Sequence, residues 1–307
     1  MSRRLVPLAV LVAAVVGCAQ QATQSGGGET PAPAADPTAT YTIKIRDKQA
    51  GDKYEVTESR SSSSNTAATL PTGKQTRSEN AEARTEYTET VLEVAAESPQ
   101  PTKLTRVYKV AEWTPPPAKG KAPAAPGKMV SASFVGKTVT IEKKGDAYTF
   151  KADGNDLSAV EAKHLAEEFG KTRKVRVQDM FPKAPVKLNE AWSPEPAVLK
   201  ELAASLPFPV NPDKSKVTGK LTRVYTKDGR QFGVIEVRTE VSVEGKGSAG
   251  PTGTFTVETT LDVTIDGSAI AGTMKDNTTG TLNGRDKGVE FQVVIDAKQE
   301  RSVKPVK

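Results

Sequence analysis

The chain has 307 residues, a formal charge of +6, one cysteine, one histidine and 5% aromatic residues. That inventory excludes a disulfide scaffold and a metal centre built from histidine and cysteine, since each needs several such residues brought together. The basic residues are scattered and not interleaved with aromatics, which argues against a nucleic-acid partner.

The first element is an export signal. Arg3 and Arg4 precede "LVPLAVLVAAVV", an uncharged run from Leu5 to Val16. A basic start, a short apolar run and a small-residue end make a secretory signal. The run is too short to span a bilayer, which takes roughly 20 helical residues. Val15, Val16 and Gly17 then lead into the single cysteine, Cys18. This order resembles the lipobox of bacterial lipoproteins. The resemblance implies cleavage between Gly17 and Cys18 and acylation of Cys18 by diacylglycerol and palmitate-type chains. Two or more chains hold a protein firmly where one does not. In the Gram-negative sorting pattern Ala19 implies the outer membrane, facing the periplasm or the cell surface. Loss of Arg3 and Arg4 with the signal, residues 1–17, lowers the formal charge from +6 to +4.

Residues 18–40 are Gly, Pro, Ala, Thr and Gln with almost no large apolar side chain, so they read as a lipidated, disordered tether. The β-rich part begins at residue 41. "YTIKIRD", "KYEVTES", "ARTEYTETVLEV" and "KLTRVYKV" read as strands. "SSSSNTAATLPTGKQTRSENAE" (61–82) and the Pro/Ala/Lys segment 114–128 read as long loops or partly disordered inserts. Lys119, Lys121 and Lys128 in the second could touch anionic cell wall or lipid heads, but a solvated loop is the favoured reading. "TVTIEKK" and "AYTFKA" flank Gly145-Asp146 and make a further strand pair.

Two helices are predicted. Ser158 and Glu161 form an S-x-x-E capping box opening "AVEAKHLAEEF". Ala162, Leu165, Ala166 and Phe169 line one face, and Gly170 ends it. The second helix is expected from Ser193 with Pro194 at its first position. Its apolar stripe is Val198, Leu199, Leu202 and Leu206. Between the helices, Phe181 to Trp192 resembles a stretch recurrent in uncharacterised bacterial envelope lipoproteins of antiparallel β-sheet, with Asn189 where a glycine is common. The resemblance implies a fold and no reaction. Trp192 is expected to anchor this connection into the core.

Clean period-two alternation returns afterwards. It places Ile235, Val237, Thr239, Val241 and Val243 on one face. Phe255, Val257, Thr259, Leu261, Val263 and Ile265 share the next, and Val289, Phe291, Val293 and Ile295 the last. Polar residues fill the other face, the pattern of an antiparallel sheet wet on one side. Asp228-Gly229, Asp266-Gly267 and Asn283-Gly284 read as tight hairpins. The expected fold is mainly β: a curved antiparallel sheet (open or half barrel, or sandwich-like) of about ten to twelve strands. Two short helices pack on its apolar face. The hexapeptide "KLTRVY" occurs at 103–108 and again at 220–225. It is compatible with two related sheet halves, 41–155 and 215–307, joined by a helical segment 156–210, within a β-rich domain 41–307.

Site chemistry is sparse. His164 is alone on the first helix, and Cys18 is consumed by lipid. "GKGSAG" (245–250) fits G-x-G-x-x-G but sits between strands and precedes Pro251, so it reads as a hairpin loop. Glu258 with Asp262, and Glu236 with Glu240, lie opposite the apolar face among Thr and Arg. No catalytic, cofactor or metal residue is assigned, and the chain is not read as an enzyme. The expected role is a membrane-anchored exported lipoprotein with a structural or interaction function in the cell envelope. Its partners would be the bilayer, through acylated Cys18, and cell wall or envelope proteins. The alternative is carriage of an apolar ligand such as lipid in a half-barrel cavity.

Overall fold

The computed structural model describes residues 38–70, 73–95, 100–115, 128–145, 147–169, 175–206, 209–245, 250–286 and 289–306. The signal, Cys18 and the tether up to residue 37 lie outside them, as do 116–127 of the Pro/Ala/Lys segment.

In chain order the strands are β1 (Thr40–Tyr41), β2 (Lys53–Leu70), β3 (Gly73–Glu93), β4 (Lys103–Trp113), β5 (Val130–Ser131), β6 (Thr138–Lys144), β7 (Ala147–Ala152) and β8 (Asn155–Asp156). Helix α1 (Ala159–Phe169) and a 3-10 turn (Val177–Met180) follow, then β9 (Val186–Lys187), β10 (Ala191–Trp192) and α2 (Pro196–Ser205). The chain ends with β11 (Val210–Lys227), β12 (Arg230–Glu244), β13 (Thr252–Thr264), β14 (Gly272–Asp286) and β15 (Val289–Pro305).

All but β1 and β9 belong to one open, 13-stranded sheet in the order β10-β11-β12-β13-β14-β15-β2-β3-β4-β6-β7-β8, with β5 on β4. Every neighbouring pair is antiparallel. Five carboxy-terminal strands form one meander, β11 to β15, and the amino-terminal strands form another. The seam between them joins the last strand to the first long one, from Glu290↔Thr69 to Pro305↔Tyr54.

The predicted phase of the alternation holds. Ile235, Val237, Val241, Val243, Phe255, Val257, Leu261, Val263, Ile265 and Ile295 are all buried. These side chains gather into three apolar clusters. The first lies under α1, around Leu104, Tyr108, Phe134, Ile141, Leu165 and Phe169. The second joins Leu221, Ile235, Leu261, Ile265 and Met274 to Ile43 and Phe181. The third holds Val241, Val243, Phe255, Leu282 and Ile295.

The capping box forms: Ser158 Oγ donates to Glu161 Oε2 at 2.6 Å, and Glu161 N–H donates back to Ser158 Oγ. Gly170, its expected stop, lies outside the described residues. Helix α2 starts later than expected. Glu195 is its N-cap and Pro196, not Pro194, takes the first turn. Either proline suits that position, and Pro194 is instead buried. Trp192 does anchor the connection, packing on the second cluster with its ring over Gly219. Asn189 has a φ of 62°, the left-handed region that Asn tolerates better than most residues.

Three other expectations are corrected. Residues 61–82 are not a loop. They are the outer ends of β2 and β3, paired from Leu70↔Gly73 inward, with Pro71 and Thr72 outside the described residues. Small polar residues form a ladder here because β15 templates β2 along its length. "YTIKIRD" pairs only at Thr40–Tyr41 and in a single parallel bridge, Lys44↔Asp266. Gln178 fixes it otherwise, accepting from Ile45 N–H at 2.7 Å and donating to Ile43 O at 3.1 Å. Asn283-Gly284 is not a turn either. Gly284 stands within β14 facing Phe291, whose ring a Cβ would meet at 2.4 Å. Of the predicted turns, Asp228-Gly229 is a two-residue hairpin with φ of 50° and 72°. Asp266-Gly267 lies in a longer loop, where the Asp266 carboxylate accepts from Gln231 N–H and Ser268 N–H, both at 2.9 Å.

Candidate functional site on the inner face of the sheet

Strand β4 turns Leu104, Arg106 and Tyr108 inward, so a guanidinium enters the core between two apolar neighbours. Arg106 is 2% exposed. Its surroundings satisfy it from three elements. Glu168 on α1 grips both terminal nitrogens, Nη1 to Oε2 at 2.7 Å and Nη2 to Oε1 at 2.8 Å. Nε donates to Glu89 Oε2 on β3 at 2.9 Å, and Nη1 donates to Tyr108 Oη at 3.2 Å. The cation also lies 4.2 Å from the Tyr87 ring centre and 4.9 Å from that of Phe169. Such a fork is geometrically selective, which point-charge pairing is not.

The ionisation of this group follows from its partners. Burial works to raise the Glu89 carboxyl, but Lys48 and Arg106 outweigh it and hold it down at about 2. Burial likewise opposes Glu168, yet Arg106, followed by Arg301 and Arg60, keeps it well below the usual carboxylate range. Burial pushes the Tyr108 phenol up to about 12.

A second polar group adjoins the first. Arg301 on β15 faces Glu58 on β2 across the seam, with Nε to Oε2 at 3.8 Å, and its Nη2 donates to Tyr87 Oη at 3.3 Å. Arg60 pairs with the same glutamate, and Gln299 donates to it through Nε2 at 3.0 Å. The other amide atom, Gln299 Oε1, is buried without a hydrogen-bond partner among the described residues. Opposite Gln299 stands Asp276 on β14, 6% exposed, whose Oδ1 accepts from Thr259 Oγ1 at 2.5 Å. Burial lifts the Asp276 carboxyl to about 6. His164 closes this side of α1. Its ring stacks on Trp113 with centroids 4.3 Å apart, and burial, then Arg60, lowers its pKa.

The carboxylates named from the sequence lie elsewhere. Glu258 and Glu240 both pair with Arg238, at 2.6 and 3.0 Å, and Glu236 pairs with Lys220 at 2.8 Å. Asp262 accepts from Tyr225 Oη at 2.7 Å. These sit on the outer face, away from the buried network. Gly17, Cys18, Lys119 and Lys121 lie outside the described residues, and Lys128 is exposed. Gly245 and Gly250 end the connection between β12 and β13, two antiparallel strands, so no helix follows the G-x-G-x-x-G. Its interior, 246–249, is outside the described residues.

Arg106, Glu89, Glu168, Glu58, Arg301 and Asp276 were not singled out from the sequence. The available signal was strand parity. Glu58 shares the parity of the buried Tyr54 and Val56, Arg106 that of Leu104 and Tyr108, and Arg301 that of Ile295 and Val303.

Chemically the arrangement fastens a helix to a sheet. Its arginines are paired with glutamates, the Asp276 carboxylate accepts from the Thr259 hydroxyl, and the His164 ring stacks on Trp113. Among the described residues no group of three or more His, Cys, Asp or Glu is placed to hold a metal ion. Nor is any helix there long and apolar enough to cross a membrane. No protein-family model matches the chain, and no curated protein matches it.

Proposed function

We propose that the chain is an exported lipoprotein, anchored by acylated Cys18, whose folded part acts by structure or contact in the cell envelope and catalyses no reaction. The inner face carries this reading. Its arginines, Arg106, Arg301 and Arg60, are matched by Glu89, Glu168 and Glu58 within the fold. An active site instead needs convergent polar groups left available to a substrate. The bilayer is the partner of the anchor, and cell wall or envelope proteins are the partners of the folded part. The outer membrane, on its periplasmic or outer surface, is the proposed location. The test is fractionation of cells expressing the chain or its Cys18→Ala variant. The parent should sediment with membranes and take up labelled palmitate, and the variant should do neither. Equal membrane retention of both would remove the anchor. Crosslinking in intact cells should then recover envelope proteins or peptidoglycan with the parent.

One observation favours the alternative, carriage of an apolar ligand. Helix α1 covers the first apolar cluster, and swinging it away would bare Leu104, Tyr108, Phe134 and Ile141. Native mass spectrometry of the gently purified chain separates the readings. Added mass that organic extraction removes supports carriage, and a clean polypeptide mass supports the contact role.

A further inference from the structure

Strand β3 runs past the end of β4. Its pairing with β4 stops at Ala83↔Trp113, while its pairing with β2 continues to Gly73. On the β4 side, Gly73 to Ala81 therefore forms a sheet edge with no strand beside it among the described residues. Pro115, which follows Thr114 after β4, has no N–H to extend the ladder. A raw edge of this length is a template for another strand.

We propose that this edge pairs with the same edge of a second copy of the chain, antiparallel, about a two-fold axis at Ser78. The direction of the backbone groups sets the register. Glu82 turns both its groups to the β4 side. Its carbonyl accepts from Thr114 N–H at 2.8 Å and its N–H donates to Thr114 Oγ1 at 3.1 Å. Alternate residues repeat that direction, so Asn80, Ser78 and Thr76 point their N–H and C=O outward as well. A two-fold axis at Ser78 sets these groups facing one another. Ser78 exchanges bonds with Ser78 of the second copy, and Thr76 exchanges them with Asn80.

The side chains agree with that register. Arg77 falls opposite Glu79 of the second copy. The pair occurs twice by symmetry, as an isologous contact requires. An axis at Arg77 or at Glu79 would instead set like charges face to face, which is destabilising. The residues concerned are mostly exposed, so no core is disturbed on pairing. Within one copy Arg77 already pairs with Glu79 at 2.6 Å, so association exchanges that contact for its equivalent across the axis. The pairing needs nothing from the lipid anchor, and its failure would leave the proposed envelope role untouched.

The test uses the full chain in mild detergent. Sedimentation equilibrium should show a concentration-dependent dimer. Arg77→Glu should raise its dissociation constant by about tenfold or more, since two attractive pairs become repulsive. Arg77→Glu with Glu79→Arg should restore it. Hydrogen-bonded antiparallel partners have Cα atoms about 5.5 Å apart, within the reach of a disulfide. Ser78→Cys should therefore crosslink two copies under mild oxidation, well above the parent chain with its Cys18. Thr76→Cys should not, because it lies two residues off the axis. A chain that stays monomeric with no Ser78→Cys crosslink overturns the proposal. So does a dimer indifferent to Arg77→Glu, or equal crosslinking at both positions. Unchanged circular dichroism in each variant rules out misfolding as the cause.

Discussion

Arg106 and Arg223 hold the same place in two copies of one hexapeptide, and their surroundings are opposite. The first copy alternates regularly, so Leu104, Arg106 and Tyr108 all point inward. In the second, the pairing of β11 with β12 shifts register between Leu221 and Arg223. The residue inserted there reverses the phase. Leu221 and Val224 are buried, while the Arg223 side chain is 64% exposed. A bulge flips every later side chain to the other face. Arg106→Ala should cost about 3–5 kcal/mol, because it takes the fork from Glu168 and leaves buried Glu89 to Lys48 alone. Arg223→Ala should change stability by less than about 0.5 kcal/mol. Urea unfolding of the two variants checks this, and equal costs would mean the network contributes little. Asp276 gives a pH-dependent prediction. Its folded pKa of about 6 stands above the ordinary Asp value of 3.8. Both states are protonated below about pH 3, so its contribution is whole there. Stability is lost as pH rises from there through 6, because the unfolded state ionises first while burial holds the native acid protonated. Asp276→Asn should therefore gain about 3 kcal/mol at pH 7.5 and almost nothing at pH 3. A gain that is equal at both values would place the effect outside titration.

Helix α1 shows what local sequence can specify. Its capping box and its apolar stripe are readable, because each depends on residues a few positions apart. What was not readable is that Glu161 has a second task, accepting from Ser133 N–H at 2.7 Å through its other oxygen. That bond ties the start of α1 to the connection after β5. Glu161→Ala should cost about 1–2 kcal/mol, more than a cap alone usually gives, and should speed amide exchange in the first turn of α1. Normal exchange there would show that packing alone seats the helix. The outer half of the β2–β3 hairpin is the opposite case. Ser61–Ser64 and Thr66–Thr69 carry no amphipathic pattern, and their ladder depends on β15, distant in sequence. Asn283-Gly284 misleads for a similar reason. The dipeptide is turn-like alone, but the Phe291 ring across the ladder covers the glycine and holds it in a strand.

At the scale of the whole molecule, alternation revealed the sheet, its buried face and its antiparallel sense. It could not reveal strand order. Nothing in β2 or β15 taken singly says that each borders the other, since part of their shared interior is a polar contact, Arg301 and Gln299 meeting Glu58. The buried network was hidden by the same fact. Charged residues at inward parity read as solvated until the strand facing them is known. Removing Val289–Lys307 should abolish cooperative unfolding, because it opens the seam and leaves Glu58 facing an empty place. A truncated chain that kept a sharp thermal transition would show that the amino-terminal meander folds alone.

The position of β15 also bears on timing. Polypeptides are made amino end first. Here β15 follows the other described strands in sequence yet belongs in the middle of the sheet, between β14 and β2. Until Val289–Pro305 have arrived, two half-assembled meanders wait with bare inner borders that no other described strand covers. A pause in synthesis before residue 289 would therefore hold a molecule with β1 to β14 made and its centre unfinished.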